Sequence, residues 1–420
     1  MMTSRTTAFL LFASLAFGQR GSLDRAFEKV PFEKWLSEDS HANFHWTMNV
    51  PHPVLSFHQR LISQVEMKLD GKDLETRRGH GQLVFFVQIT NSAGALFQDH
   101  GSLELDKIDE NIKNVTVDYT QPLFVLPGNY HLAVAILDTA TGEHSAAQGQ
   151  FRVSTPTQGW LIDAWKGLPP VEYIGKEESP ESWFLPAIRG RLLWATSVTS
   201  PAQVDVILNV VPATPGLRQT PSGGMAAMLP TLKVLSETGS PAISETVELI
   251  DLSRRRAVFE QDAVTELDWP RLKASLGDAS TASIDIHSLS ERHEDAQFFV
   301  SQVRKTIRAS AGKPCVVVVL SKPVAFESGE DLEPISLEAL PTCRVIYIRF
   351  HARLQSAVSP GPQMGGRGRG RRMDPMMNRA PRDAVDQLEA TLKPLNPKVF
   401  DVESPEELIK AFAEINKTLR

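Results

Sequence analysis

Hydrophobic and polar residues alternate along the first part of the chain, where short apolar segments are separated by turns rich in Gly, Asn and Asp. The alternating or β-branched segments are 59–69, 81–90, 95–105, 115–119, 128–137 and 148–153. Strands at this spacing predict an antiparallel β-sandwich, which we place at residues 54–155.

The end of this region has a more specific pattern. Residues 124–153 (FVLPGNYHLAVAILDTATGEHSAAQGQFRV) contain a Pro-Gly turn, a strand that carries Tyr130, and a tight turn into a final strand. The pattern resembles the closing hairpin of immunoglobulin-like modules. That resemblance implies an architecture and carries no information about activity.

The second part of the chain has a different periodicity. Residues 315–320 (CVVVVL) have no polar face, which predicts a central strand covered on both sides. Further strands are predicted at 204–211, 246–252, 257–261, 344–350 and 398–402, and helices at 225–237, 269–276, 294–309, 384–392 and 405–419. This alternation predicts a doubly wound, mostly parallel α/β sheet over residues 204–420.

Two segments of this half carry a family resemblance: TVELIDLSRRRAVFEQDAVTELDWPRLKASL and KVFDVESPEELIKAFAEI. With the order of elements, they resemble a von Willebrand factor A domain, in particular the degenerate forms in secreted bacterial proteins. Metal-binding members carry a D-x-S-x-S run after the first strand and an Asp after the central strand. Here the corresponding stretches read NVVPATP from Asn209 and Ser321-Lys322-Pro323, so the resemblance implies that the metal site is lost.

Length, charge and the amino terminus suggest the domain organisation and the compartment. A chain of 420 residues predicts two domains, and a net charge of −6 argues against general nucleic-acid binding. Residues 1–18 have the form of a secretory signal peptide, with a retained anchor as the alternative, and no later stretch is predicted to span a membrane. We therefore expect an exported protein that is periplasmic, extracellular or peripheral at the cell envelope, with residues 19–53 as an arm on the first domain.

Residues 156–203 are rich in Pro and Trp and are predicted to link the two domains. Trp160, Trp165, Trp183 and Trp194 are expected to pack against the neighbouring domain, and a sugar-binding platform is the alternative.

An insertion at residues 353–382 is rich in Arg and Gly and is expected to be disordered. Because it follows a strand of the α/β sheet, it leaves the sheet at the edge that carries ligands in such folds. We expect it to form a cationic rim for an acidic protein or an anionic envelope component. The predicted rim consists of Arg254, Arg255, Arg256, Lys322, Arg367, Arg369, Arg371 and Arg372.

No residue set specifies a reaction, a cofactor or a metal site. The pairs His41/His45 and His287/His293 lack further ligands, and Asp251 and Ser253 are expected to be turn residues. The carboxylates of the FESGED segment, Glu327, Glu330 and Asp331, are expected in a solvated loop. Cys315 and Cys343 begin neighbouring predicted strands, so an oxidising compartment would permit a disulfide, although two buried free thiols are favoured.

These patterns predict a non-catalytic exported protein that mediates protein–protein interaction through a metal-free A-type domain. Divalent-cation-dependent adhesion through another set of oxygens is the first alternative. An enzyme acting on envelope polysaccharide, with Trp residues binding sugar and carboxylates in catalysis, is the second.

Overall fold

The structure is a computed structural model that describes residues 23–38, 45–79, 81–108, 112–157, 159–174, 190–211, 222–280, 293–309, 314–324, 343–351, 363–364 and 386–420. The strands of the first half are β1 (Trp46–Asn49), β2 (Val54–Leu55), β3 (Leu61–Asp70), β4 (Gln82–Asn91), β5 (Leu96–Glu104), β6 (Thr116–Val125), β7 (Gly128–Asp138), β8 (His144–Val153) and β9 (Val171–Tyr173). Those that follow are β10 (Ala202–Val211), β11 (Ile243–Asp251), β12 (Arg256–Gln261), β13 (Cys315–Ser321), β14 (Cys343–Phe350), β15 (Gln363–Met364) and β16 (Lys398–Val402).

Eight α-helices lie in the described part of the chain. They are α1 (Phe32–Ser37), α2 (Gly71–Arg77), α3 (Gly159–Ala164), α4 (Ser222–Leu235), α5 (Trp269–Ser280), α6 (His293–Ala309), α7 (Gln387–Leu392) and α8 (Pro405–Leu419). None of these described helices is long and apolar enough to cross a membrane.

Two antiparallel sheets form the first half. One has the strand order β1-β3-β6-β15, with β2 paired to β3 and β9 paired to β6, and the other has the order β5-β4-β7-β8. Along β3, every second residue from Leu61 is buried, which is the two-residue period of a strand with one face in a core. Phe85 of β4 stacks on Tyr119 of β6 with ring centroids 3.9 Å apart, so the two sheets pack face to face.

A mixed six-stranded sheet forms the second half, in the order β12-β11-β10-β13-β14-β16. Adjacent strands are parallel except β12, which pairs antiparallel with β11. All seven residues of β13 are buried because helices cover both faces of the sheet. Phe299 and Val303 of α6 share a core with Val317 and Val319 on one face. Residues of α4 and α8 pack on the other face.

The coarse prediction of antiparallel sheets followed by a layered half with helices is therefore confirmed. The last helix has the predicted bounds, and its capping box joins Ser404 to Glu407, with the Ser404 N–H donating to Glu407 Oε2 at 3.1 Å.

Several elements differ from the sequence-based expectation. The arm contributes α1 and β1, and β1 joins the first antiparallel sheet. The expected turn after β3 is instead α2, capped by Asp70, whose Oδ1 accepts from the Lys72 N–H at 2.9 Å. Inside the insertion, Gln363 and Met364 form β15 and pair with β6, so these two residues are not disordered. The predicted signal peptide and the rest of the insertion lie outside the described residues.

The linker packs against the second half of the chain. Trp165 and Trp194 are buried, and the rings of Trp160 and Trp194 lie 5.8 Å and 5.4 Å from that of Phe412 in α8. The Trp165 Nε1–H donates to the Gln59 carbonyl at 2.8 Å, so that indole bridges the linker and the sandwich. Trp183 lies outside the described residues. None of these three described rings forms an open sugar platform.

Candidate functional site

The carboxyl ends of β10 and β13 meet at one edge of the mixed sheet. Leu208 pairs with Leu320, which places Asn209 beside Ser321. Both side chains are fully buried, and Asn209 Nδ2 donates to Ser321 Oγ at 3.0 Å. The Ser321 hydroxyl in turn donates to the Lys322 carbonyl at 2.7 Å. A neutral hydrogen-bonded pair therefore joins the two central strands where they end.

The described residues of this edge do not supply the ligands that a hard divalent cation needs. Such a cation takes six or more oxygens, among them carboxylates. Asn209 and Ser321 contribute a neutral amide and a hydroxyl, and Lys322 follows directly with an ammonium group. The Asn209 Oδ1 atom is buried without a hydrogen-bond partner in the structure, yet a single amide oxygen is a weak ligand. The donor set formed by these described residues therefore does not fit Mg²⁺ or Mn²⁺.

The neighbouring strand β11 ends in an acid that is already paired with a cation. Asp251 Oδ1 accepts from the Arg254 N–H at 3.1 Å, and its Oδ2 lies 3.7 Å from Arg254 Nε. Asp251 caps the short 3-10 helix Leu252–Arg254, as a turn residue would. Arg255 then adopts φ +49° and pairs with Glu294, and its Nε lies 3.6 Å from Asp295 Oδ1 in α6.

These contacts correct the expectation of an open cationic rim. Arg254 and Arg255 are paired with carboxylates, and Lys322 is only 9% exposed. Burial lowers the pKa of Lys322, because the charged ammonium is poorly solvated there. Arg256 is exposed on β12. The remaining predicted rim residues, Arg367, Arg369, Arg371 and Arg372, lie outside the described residues.

A second polar network lies on the other side of the same edge of the mixed sheet. Arg349 of β14 donates to Asp386 at 3.1 Å, to Glu389 at 2.8 Å and to Asp401 at 2.6 Å. Asp386 Oδ2 also accepts from the Tyr347 hydroxyl at 2.9 Å. Burial alone would lower the pKa of Arg349, but its bonds to Asp401 and Asp386 raise the value above the usual range. The bond from Arg349 is also the main reason that the pKa of Asp401 is lowered.

This network is structural in character. Asp386 caps α7 through the Leu388 N–H at 3.2 Å and accepts the Val324 N–H at 3.0 Å, so one carboxylate joins the ends of β13, β14 and α7. Burial, followed by the charge and the hydrogen bond of Asp386, raises the pKa of Tyr347 well above its usual value. The Tyr347 hydroxyl therefore stays protonated and serves as a donor. This network was not predicted from the sequence, although Arg349 inside an otherwise apolar strand is a signal for it.

A buried polar cluster also lies where the linker meets both halves of the chain. Arg60 Nη1 donates to Glu172 Oε2 at 2.7 Å, and the two side chains are 3% and 10% exposed. Glu237, just after α4, pairs with Lys233 of that helix at 2.6 Å and accepts the Leu192 N–H of the linker at 2.9 Å. These contacts tie the linker to both halves of the molecule.

A histidine borders the same cluster. His58 is 7% exposed, and burial, assisted by Lys233 and Arg60, lowers its pKa to about 3. His58 is therefore neutral throughout the physiological range. The cluster holds the two halves of the molecule together.

The remaining sequence candidates are not brought together at a site. His45 is exposed and its Nδ1 lies 3.1 Å from Asp73 Oδ2, and His293 begins α6. His41, His287 and the carboxylates Glu327, Glu330 and Asp331 lie outside the described residues. Cys315 and Cys343 pair directly across β13 and β14 with Cα atoms 4.5 Å apart, and the structure joins them in a disulfide. The free-thiol state that the sequence favoured is not the state in this structure.

Comparisons with known proteins identify no relative that could assign a function. No protein-family model matches the chain, and no curated protein matches it. A solved structural-genomics target designated SoR45 is 15% identical, with a TM-score of 0.18, and covers 27% of this chain and 87% of its own. A candidate ApaA protein from Bordetella pertussis is also 15% identical, with a TM-score of 0.19, and covers 27% of this chain and 97% of its own. Likenesses at these TM-scores carry no argument about the fold or the function.

Proposed function

We propose that this is an exported, non-catalytic binding protein in which an immunoglobulin-like sandwich precedes a metal-free von Willebrand factor A-like unit. The strand order supports the second part of this proposal. Numbered within its own half, the mixed sheet runs 3-2-1-4-5-6 with strand 3 antiparallel, which agrees with the order of elements on which the resemblance depends.

One observation carries the proposed mode of binding. At the edge where metal-dependent members of that family hold their cation, the hydrogen bond from Asn209 to Ser321 joins the two central strands. Among the residues that the structure describes, neither strand end contributes a carboxylate there, and the acid of β11 is paired with Arg254. The edge therefore binds its partner by direct contact, without an ion that bridges to an acidic group of the partner.

The partner we propose is a protein or an anionic component of the cell envelope. The described rim around the edge carries mixed charge, because Arg255 is paired with Glu294 and Asp295 while Arg256 is exposed. Charge complementarity of this mixed kind favours specificity for a particular partner over general affinity for polyanions. Any additional positive charge comes from the Arg/Gly-rich insertion at residues 353–382, which follows β14.

Affinity capture from native envelope fractions tests the proposal. The immobilised full chain is compared with a variant that lacks residues 355–381 and with Arg152→Ala, a control at an exposed position of β8 in the sandwich. We expect the same partner to be captured with EDTA and with Mg²⁺, with a loss in the deletion variant and no change in the control. Capture that requires Mg²⁺, together with saturable Mg²⁺ binding in calorimetry, would contradict metal-free binding and support cation-dependent adhesion instead. Equal capture by the deletion variant would refute the role of the insertion.

A further inference from the structure

The amino-terminal arm meets the edge strand β5 at a group of potential metal ligands. Asp24 of the arm lies beside Asp99 and His100 of β5, and one ligand atom from each residue lies within 4.8 Å of the others. Within the described ranges this is the one group of three His, Cys, Asp or Glu side chains placed closely enough to share an ion. We call it the arm cluster.

Both carboxylates of the arm cluster are oriented by donors outside it. Asp24 Oδ1 accepts from the Ala26 N–H at 2.9 Å, which leaves Oδ2 directed at His100 Nδ1. Asp99 accepts from the side-chain amide of Gln121, a buried residue of β6 in the opposite sheet. Donors that hold a ligating carboxylate in one orientation are typical of metal sites, because they reduce the reorganisation that binding requires.

The arm is also docked independently of any ion. Phe27 and Phe32 pack on Phe86 of β4 with ring centroids 5.2 Å and 6.5 Å away, and the Asp24 N–H donates to Gln98 Oε1 at 3.3 Å. The ring of His100 stacks on that of Phe86, with centroids 6.4 Å apart and planes inclined by 26°. Apolar contacts thus bring Asp24 to the two ligands on β5, so the three groups are assembled before a cation arrives.

We infer that the arm cluster is a binding site for a divalent transition-metal cation of the zinc class, which fixes the amino-terminal arm on the edge of the sandwich. One imidazole and two carboxylates suit Zn²⁺ and Co²⁺, since Mg²⁺ and Ca²⁺ prefer oxygen ligands alone. Solvent completes the coordination of the cation, because the side chain of His100 is 45% exposed.

A second His–Asp pair of the molecule provides a matched control. His45 lies beside Asp73 at 3.1 Å on the same sandwich, and its side chain is 90% exposed. That pair has one imidazole and one carboxylate but no third ligand in the described part of the chain. If three ligands are required, Co²⁺ binds to the arm cluster and not to this pair.

The experiment uses the full chain without a histidine tag. Titration with CoCl₂ is followed by visible absorbance and titration with ZnCl₂ by calorimetry, for the wild type, His100→Ala, Asp24→Asn and the control His45→Ala. We expect one ion per chain in the wild type and the control, and binding weaker by about tenfold or more in the other two variants. Circular dichroism of each apo variant verifies that it is folded.

A second readout reports on the arm itself. Arg25 and Lys29 are exposed in the arm and are sites for trypsin. Zinc is expected to slow cleavage at these two positions in the wild type and in His45→Ala, but not in His100→Ala. Absence of saturable binding in the wild type, or equal binding in all variants, would overturn the inference. Binding without protection of the arm would contradict its role in fixing the arm.

Discussion

The ion pair between Arg60 and Glu172 provides the sharpest test of how the linker is held. The two side chains are 3% and 10% exposed and lie 2.7 Å apart. Burial lowers the pKa of Arg60, and the charge of Glu172 opposes that shift. In Arg60→Met the apolar stem is retained, but the guanidinium that lies 4.5 Å from the Phe124 ring centroid is lost and Glu172 is left buried without its cation.

Breaking a buried ion pair from one side costs about 3–5 kcal/mol. Glu172 also accepts the Gly190 N–H at 3.2 Å, which still satisfies part of the carboxylate in the variant. We therefore expect a loss near the lower end of that range, about 3 kcal/mol in the free energy of unfolding. In Arg60→Met/Glu172→Met both charges are absent, so the double variant is expected to recover about 2 kcal/mol of that loss.

Urea denaturation followed by tryptophan fluorescence measures these changes, since Trp165 donates to the carbonyl of the adjacent Gln59. Lys34→Met is the control, because the Lys34–Glu38 pair is 69% and 44% exposed and should contribute less than about 1 kcal/mol. A loss below about 1 kcal/mol in Arg60→Met, or a double variant no more stable than the single one, would refute the reasoning.

Three further predictions concern the mixed sheet. Burial, followed by neighbouring acids, raises the pKa of Glu245 well above its usual value, so the wild type loses stability as pH rises above the unfolded-state pKa of about 4. Glu245→Gln should therefore gain stability relative to the wild type as pH rises above about 4, measured as urea midpoints. Cys315 and Cys343 should give no reactive thiol in denaturant without reductant and two after reduction. Asp386→Asn weakens the hydrogen bonds from Tyr347 and Arg349 and should lower the free energy of unfolding by about 1–3 kcal/mol. The control Glu389→Gln changes a more exposed partner of Arg349 and should lower it by less than about 1 kcal/mol.

Much of the secondary structure could be predicted because its signal is local. The apolar run of β13 and the Pro and Ser that open α8 specify their elements through burial and capping, whatever the rest of the chain does. The prediction failed where the local signal was misleading. The polar residues after Asp70 indicate a turn, but the Asp70 carboxylate caps the helix α2 instead.

The polar sites could not be predicted in the same way, because they join residues that are far apart in sequence. Arg60 and Glu172 are separated by 112 positions, and Asp24 and His100 by 76. A charged residue in a periodic pattern has the same local appearance whether it faces solvent or a buried partner. Lys322 and Arg255 illustrate the error: their positions at the sheet edge suggest free cations, yet one is buried and the other is paired with acids of α6.

The sequence by itself determined the periodicities, and from them an antiparallel first half and a layered second half, since a two-residue or a 3.6-residue apolar repeat can be buried in few ways. Only the tertiary structure decided which polar groups meet, because pairing depends on strand order, on register and on how the arm and the linker pack. The hydrogen bond from Asn209 to Ser321 and the arm cluster are both products of that packing.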